Sequence, residues 1–349
     1  MFDHLHYVPI LKGKRGEFPA IGALRSKILL TPLFEHVPSQ QPDFIPRKMD
    51  DIWSKDDPYF VDMLFVDDED AAEGSASTHP LALCFNSIAD KHQFGIPVTG
   101  PTRSPAYQAA LRAIVASQGR GFAIRLLTDD FDDEDAVAEW VDAIIDYTGI
   151  ESSSIDMIVD LGTVAGQTAA VIARTHRTLL SLLPRITEWR TLTVVSGAFP
   201  TSLSPLTRGI WNPISRNDWH AWFSLIERPR GLARLPSYGD YAIAHPDLPP
   251  EGRATILAQL RYSTPSDFLI FKGENVFTHL RGFAQFCDIC ADMVTKPEYR
   301  GAAFSEGDRQ IAEKATKSGS CGNAETWRII GVNHHVETVL DQIATVPSP

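Results

Sequence analysis

Short apolar runs alternate with segments of helical periodicity along the first 250 residues of the chain. Each apolar run ends in a turn containing Gly, Pro or Asp, and apolar residues in the next segment recur at helical spacing. Apolar runs predict strands at 7–11, 28–35, 61–67, 95–99, 121–127, 154–160, 191–197 and, with a weaker pattern, 235–243. Eight such steps are typical of a closed parallel barrel. We therefore predict an α/β fold, a TIM-like (β/α)8 barrel, with an open doubly wound parallel sheet as the alternative.

The last hundred residues do not repeat this unit. They contain one further predicted strand, at 266–272, and helical periodicity at 279–295 and 325–344. No low-complexity linker precedes them. We therefore predict a barrel-like domain over residues 1–250 and an α-rich C-terminal elaboration over residues 251–349, which packs on the barrel and closes one of its ends.

Composition limits the kinds of partner. The 349 residues carry a formal net charge of -12, which argues against coating nucleic acid through bulk attraction but leaves room for a local basic pocket. Four cysteines in so long a chain do not form a dense disulfide framework. No apolar run approaches the roughly 18 residues of a membrane span. These features predict a cytoplasmic protein without a membrane partner.

Charged and polar residues collect where the predicted strands end. They are Lys12, Lys14, Glu35, Asp67, Thr99, Arg125, Asp129, Asp160, Ser196, Asp240 and Tyr241. The carboxyl ends of barrel strands meet at one mouth, so these side chains are expected to converge there. Buried charges need partners. Lys12 or Lys14 should therefore pair with Glu35, Asp160 or Asp240, or with an anionic ligand, and a ring of structural salt bridges is the alternative.

The first strand leads into the sharpest of these features. Residues 6–17 are HYVPILKGKRGE, in which glycines would let backbone N–H groups approach an anion and cations would neutralise a phosphate. The stretch lacks the glycine and lysine spacing of a nucleotide-binding P-loop, and a solvated basic loop is the plain alternative. Carboxylates at strand ends are also possible ligands of Mg²⁺, although their spacing demands no metal and no other cofactor is indicated.

Two further motifs lie in the C-terminal part. Cys287-x-x-Cys290 falls on a predicted helix, where core thiols are the favoured interpretation over a redox or zinc site. His334 and His335 are adjacent on the last helix and therefore point about 100° apart. One of them could act as an acid or base while the other packs.

Four segments together resemble one known family. They are YVPILKGKRGE near the N-terminus, YGDY at 238–241, RYSTPSDFLIFKG at 261–273 and WRIIGVNHHVETVL at 327–340. In this order they are similar to landmarks of the phage and prokaryotic "beta" protein family, whose members resemble genes of phages and mobile elements near anti-phage functions. The resemblance implies a role in defence and carries over these residues as functional candidates: Lys12, Lys14, Tyr238, Asp240, Arg261, Tyr262, Lys272, Arg328, His334 and His335.

Two functional hypotheses follow. In the first, the mouth binds a phosphate-bearing small molecule or a nucleic-acid end. A stronger version of this hypothesis adds hydrolysis of the bound ligand. Asp240, Glu35, His334 and His335 would be the catalytic groups. The ligand-binding residues would be Lys12, Lys14, Arg125, Tyr238, Tyr241, Arg261, Tyr262, Lys272 and Arg328. In the second, the chain is a non-enzymatic sensor that recognises a phage, host or defence-system protein through the loop at 38–58 and the irregular span after Ser196.

Overall fold

The structure is a computed structural model that describes residues 2–67, 75–248 and 256–347. Eight parallel strands form a closed barrel. In their order around the barrel, the strands are β1 (Tyr7–Leu11), β2 (Leu33–Glu35), β3 (Pro58–Asp62), β4 (Phe94–Thr99), β5 (Phe122–Leu127), β6 (Ile155–Thr163), β7 (Thr191–Gly197) and β9 (Ser237–Asp240). The barrel closes where β1 pairs with β9, as in the register of Tyr7 with Tyr238. The predicted TIM-like barrel is therefore confirmed, and the open sheet does not occur.

Helices cover the outside of the barrel. They are α1 (Glu17–Gly22), α2 (Phe44–Met49), α3 (Pro80–Asp90), α4 (Pro105–Gln118), α5 (Glu134–Thr148), α6 (Ala169–Leu182) and α7 (Asn217–Glu227). Local sequence explains their ends, as α4 shows. The Ser104 side chain accepts a hydrogen bond from the Tyr107 N–H, Pro105 begins the first turn, and Gly119 ends the helix at a φ of 64°.

A small antiparallel sheet adjoins the barrel. Its strands are β8 (Trp211–Ser215), β10 (Leu257–Ser263) and β11 (Asp267–Asn275), in the order β10-β11-β8. The sequence predicted β11 but not β8, because Pro213 interrupts the strand pattern there. Proline is compatible with an edge strand, which is the position of β8. The predicted boundary between residues 250 and 251 lies outside the described residues and stays a prediction.

Three helices complete the C-terminal part: α8 (Ala284–Met293), α9 (Glu306–Ala315) and α10 (Ala324–Ala344). The last of them contacts α1, α9, β1 and β10, so it joins the barrel to the small sheet. None of the helices in the described ranges is long and apolar enough to cross a membrane.

Alternation along the strands determines which side chains enter the barrel. Val8 and Ile10 of β1 pack in the barrel interior, whereas Tyr7 and Leu11 belong to the core between strands and helices. The same alternation places Tyr241, directly after β9, inside the barrel and the side chains of Tyr238 and Asp240 outside it. This difference decides the position of several predicted site residues.

The cysteines differ from the predicted arrangement. Cys287 forms a disulfide bond with Cys321, so only Cys290 of the Cys287-x-x-Cys290 motif is a buried core thiol. The bond connects α8 to the segment before α10. Disulfide bonds are typical of oxidising compartments, so the bond gives no support to a cytoplasmic location, which stays a prediction.

Candidate functional site

Arg125 occupies the centre of the barrel mouth. Its Nη1 donates to Glu35 Oε1 at 2.8 Å and to Asp62 Oδ2 at 2.9 Å, and its Nη2 donates to Asp160 Oδ2 at 2.6 Å and to the Tyr241 hydroxyl at 2.7 Å. Burial alone would lower the pKa of Arg125, but the neighbouring tyrosine and carboxylates raise it well above its ordinary value. The guanidinium therefore serves as a structural cation of the barrel.

Lys12 enters the same network from the end of β1. Its Nζ donates to Glu35 and to the backbone carbonyl of Pro246, and its side chain is buried. Lys12 is thus neutralised by Glu35 and not by Asp240. Of the two kinds of partner predicted for Lys12, a carboxylate or an anionic ligand, the structure contains the carboxylate of Glu35.

The network at the mouth is balanced in charge. Three buried cations face three buried carboxylates, namely Lys12, Arg103 and Arg125 opposite Glu35, Asp62 and Asp160. This arrangement agrees with the alternative prediction of a ring of structural salt bridges at the mouth. Glu35 and Arg125 are therefore engaged with other protein groups, as buried charges must be.

Asp62 belongs to the network at the mouth and was not predicted from the sequence. The predicted strand at 61–67 is shifted, because β3 ends at Asp62. Asp62 therefore takes the strand-end position that was assigned to Asp67. The Asp67 carboxylate instead accepts hydrogen bonds from the Ser104 N–H at 2.8 Å and the Ser104 hydroxyl at 2.6 Å.

Asp240 lies outside the barrel, under α10. Its carboxylate accepts hydrogen bonds from Tyr7 at 2.5 Å and Tyr238 at 2.9 Å, and it contacts His335 Nε2 at 2.9 Å. Burial opposes its ionisation, but His335, Tyr7 and Arg216 lower the pKa of Asp240 to about 2. The expectation that Asp240 and Tyr238 lie at the mouth is wrong, because alternate strand residues face opposite sides.

His335 connects Asp240 to the small sheet. Its Nδ1 lies 2.7 Å from the Ser263 hydroxyl, and all three side chains are buried. Burial lowers the pKa of His335, although the charge of Asp240 opposes this. The serine, histidine and aspartate form a chain of hydrogen bonds, but none of the three lines the cavity of about 330 Å³ beside the mouth.

His334 belongs to a separate buried cluster. Its Nδ1 lies 2.7 Å from Asp308 Oδ2 and its Nε2 donates to the Ser263 carbonyl at 2.7 Å. Tyr262 stacks on the imidazole at 3.7 Å and donates its hydroxyl proton to Asp308 at 2.8 Å. Burial would raise the pKa of Asp308, but these hydrogen bonds hold it below its ordinary value. His334 and Tyr262 therefore lie away from the mouth.

Lys272 is also separate from the other predicted residues. Its Nζ donates to the carbonyls of Ser204 at 2.7 Å and Leu206 at 2.9 Å. The lysine thereby ties β11 to the turn before β8. Its side chain points to this turn because even-numbered residues of β11, such as Phe268 and Ile270, face the same buried side.

A cavity of about 330 Å³ adjoins the mouth. It lies between the ends of β1 and β9, strand β10 and helices α8 and α10. Five predicted ligand-binding residues line it, namely Lys12, Lys14, Tyr241, Arg261 and Arg328. Glu17, Phe286 and Trp327 contribute to its wall and were not predicted. Glu17 closes the HYVPILKGKRGE stretch, so its position next to the cations was a signal available from the sequence.

The cations of this cavity influence one another. Arg261 Nη1 donates to the Ile243 carbonyl at 2.6 Å. Removal from bulk water, together with the charge of Arg328, lowers the pKa of Arg261 to about 10. The same two causes, burial and then Arg328, lower the pKa of Lys14. The cavity therefore concentrates positive charge.

Glu17 is the carboxylate of this cavity. It is buried, and its Oε2 accepts a hydrogen bond from the Lys14 N–H at 2.9 Å. Burial raises the pKa of Glu17, although Arg328 and Lys14 act in the opposite direction. One carboxylate thus faces several cations.

The strand-end carboxylates do not assemble a metal site in the part of the chain that the structure describes. Within residues 2–67, 75–248 and 256–347, no group of three or more His, Cys, Asp or Glu side chains could hold a metal ion. Glu35 and Asp160 bind Arg125 instead. The Mg²⁺ hypothesis stays a prediction.

Fold and site together define a class of protein, namely a parallel eight-stranded barrel with a cation-lined cavity beside its mouth. The family model described as Beta protein matches residues 7–341, nearly the whole chain, so the chain belongs to the Beta protein family. The resemblance of the four sequence segments is thereby confirmed. No curated protein is similar enough to the chain to be a match.

Proposed function

We propose that the protein binds a small phosphate-bearing anion in the cavity beside the barrel mouth. Lys14, Arg261 and Arg328 would contact the phosphate, while Lys12 and Tyr241 form the floor. The observation that carries the proposal is the imbalance of charge in the cavity lining, where Lys14, Arg261 and Arg328 face the single carboxylate of Glu17. Burial and the charge of Arg328 also lower the pKa of Arg261. A bound anion would supply the missing countercharge.

The rest of the cavity wall is suited to the organic part of a phosphate-bearing ligand. Phe286 and Trp327 stack at 4.4 Å between ring centres, and Ile243, Ile256 and Val332 add apolar surface. Small-molecule sites commonly combine such walls with a few polar groups, in volumes of about 300 to 1,000 Å³. A compact organic phosphate therefore fits better than an extended polymer, of which only the end could enter.

The proposal concerns binding and not hydrolysis. His334 and His335 do not line the cavity, and each is hydrogen-bonded to a buried aspartate elsewhere. A general acid or base must lie within hydrogen-bond reach of the proton that it transfers. The histidines therefore give no support to a catalytic role at this cavity.

Isothermal titration calorimetry with nucleotides, sugar phosphates and inorganic phosphate tests the proposal. A charge-assisted hydrogen bond contributes about 1.5 to 3 kcal/mol, so Arg261→Gln and Arg328→Gln should each weaken binding by about tenfold or more. Arg309→Gln is the matched control, because Arg309 is an exposed residue paired with Glu306 at 2.7 Å. The proposal fails if no phosphate binds, or if the cavity variants bind as the control does.

The role in defence that the family resemblance implies stays a prediction, and the same variants test it. If the cavity serves defence, Arg261→Gln should reduce protection of cells against phage infection while Arg309→Gln does not. If the chain instead recognises a phage or host protein, substitutions in the segment at 38–58, which contains α2 and is not wholly a loop, should abolish protection and cavity variants should retain it.

A further inference from the structure

The charges that line the cavity indicate which class of phosphate it accepts. This inference rests on the proposed function and narrows it. We infer that the cavity selects a phosphate monoester dianion over a phosphodiester monoanion. Its ligand is then the terminal phosphate of a small molecule or of a nucleic-acid end, and not an internal phosphate of a polymer.

The charge of the cavity can be counted from its lining residues. Lys12 is excluded from the count because Glu35 neutralises it within the balanced network at the mouth. Three cations remain, Lys14, Arg261 and Arg328, and they face the single carboxylate of Glu17. The net charge is therefore two positive units when Glu17 is ionised. A dianion matches this charge, and a monoanion leaves one cation without a counterion.

The count covers the described residues of the wall, and the segment before Ile256 lies outside them. Residues 249–255 directly precede Ile256, which lines the cavity. This segment contains one glutamate and one arginine, Glu251 and Arg253, so its formal net charge is zero. The excess of cations comes from the described wall.

Repulsion among the three cations is the reason that a dianion should bind more tightly than a monoanion. Arg328 lowers the pKa of both Lys14 and Arg261, so the cations oppose one another's charge in the unliganded cavity. Each unit of negative charge that enters relieves part of this repulsion. A second unit at hydrogen-bond distance should improve affinity by about tenfold or more at the dielectric of a partly exposed site.

Measurements at lower pH distinguish a preference for dianions from a general attraction of anions. A phosphate monoester loses its second charge near pH 6, whereas a diester remains a monoanion. The ionisable groups that line the cavity are Lys12, Lys14, Tyr241, Arg261 and Arg328, which are basic or phenolic, and Glu17, which is the one carboxyl group among these lining residues. Protonation of Glu17 would strengthen the binding of both kinds of phosphate. The ratio of the two affinities therefore reports the charge of the ligand.

Calorimetry with matched pairs tests the inference. The pairs are adenosine 5′-monophosphate with its 5′-methyl ester, inorganic phosphate with dimethyl phosphate, and a short oligonucleotide with and without a 5′-phosphate. The monoester should bind about tenfold or more tightly than its diester at pH 7.5, and the ratio should approach one at pH 5. Comparison of the nucleotide and oligonucleotide pairs distinguishes the two sources of a terminal phosphate.

A charge variant provides the second readout. Lys14→Met lowers the net charge by one unit, so it should reduce the preference for the monoester, whereas Lys55→Met, at an exposed ion pair with Asp50, should not. Equal binding of monoester and diester by the wild type overturns the inference and leaves the proposed function standing. Failure of every probe to bind overturns both. A preference unchanged by Lys14→Met also overturns the charge argument.

Discussion

Arg125 shows how a single residue can hold the carboxyl ends of several strands together. Its guanidinium contacts carboxylates on β2, β3 and β6, namely Glu35, Asp62 and Asp160. All four side chains are buried. A hydrophobic replacement would leave three carboxylates opposite two cations, and a buried charge without a partner is strongly destabilising.

We therefore expect Arg125→Met to lower the free energy of unfolding by about 3 to 5 kcal/mol. Urea denaturation followed by circular dichroism measures the change. Arg185→Met is the matched control, since Arg185 forms an exposed ion pair with Asp142 at 2.8 Å and should lose only about 0 to 1 kcal/mol. Similar losses in the two variants would show that the network at the mouth does not stabilise the fold.

Single residues also show where prediction from the sequence ends. Asp240 and Tyr241 are neighbours, and both were expected at the mouth, yet only Tyr241 faces inward. Barrel strands are buried on both faces, so their sequences lack the polar alternation that would reveal which residues point inside. The position of a strand's end is equally hidden, which is why Asp67 was chosen in place of Asp62.

At the scale of elements, α10 joins the parts of the molecule. His334 contacts Asp308 of α9, and His335 contacts Asp240 of β9. Ser263 of β10 serves both, through its carbonyl and its hydroxyl. Adjacent helix residues point about 100° apart, so the two histidines fix the rotation of α10 between two different neighbours.

Substitution of His335 tests this positioning role. His335→Leu removes the donor to Asp240 and should cost about 3 kcal/mol or more, because the carboxylate loses a buried partner. His335→Gln retains an amide donor at a similar distance and should cost less. Urea denaturation gives both values, and phosphate binding by the folded variants should equal that of the wild type. Equal stability of the two variants, or loss of binding in the stable one, would contradict this role.

The elements themselves were largely predictable. The predicted strand at 7–11 matches β1, that at 191–197 matches β7, and the helix at 325–344 differs from α10 by one residue. These segments have strong periodicity and clear turn residues. β8 and β10 escaped prediction, β8 because Pro213 interrupts its strand pattern.

At the scale of the whole molecule, the number of steps along the chain was enough to predict a closed barrel, because eight parallel strands meet edge to edge. The relation between the barrel and the small sheet was not predictable. β8 lies before β9 in the chain but pairs with β11 after it. Contacts distant in sequence, between the last helix and both α1 and β10, bring Arg328 and Arg261 to the cavity that Lys14 also lines.

Acid stability is a property of the whole molecule that follows from its buried histidines. Burial lowers the pKa of His176, on α6, to about 3, and mainly burial does the same for His6. Unfolded histidines titrate near pH 6.5, so the unfolded chain binds more protons between about pH 3 and 6.5. Stability from these groups is therefore complete above pH 6.5 and is lost as the pH falls through this window.

Replacing one of these histidines should remove its share of the acid sensitivity. Between pH 6.5 and 4.5, one such buried histidine lowers the free energy of unfolding by about 2 to 3 kcal/mol. The free energy of unfolding should therefore fall by about 2 to 3 kcal/mol less between pH 7 and 4.5 in His176→Leu than in the wild type. Asp218 acts in the opposite direction, because burial and then Asp240 raise its pKa to about 6, but its contribution cancels between wild type and variant. Urea denaturation at the two pH values measures the difference. His279→Leu is the control, because His279 is exposed, and its free energy of unfolding should depend on pH as in the wild type. If His176→Leu also shows the wild-type dependence, His176 is not held neutral in the folded protein.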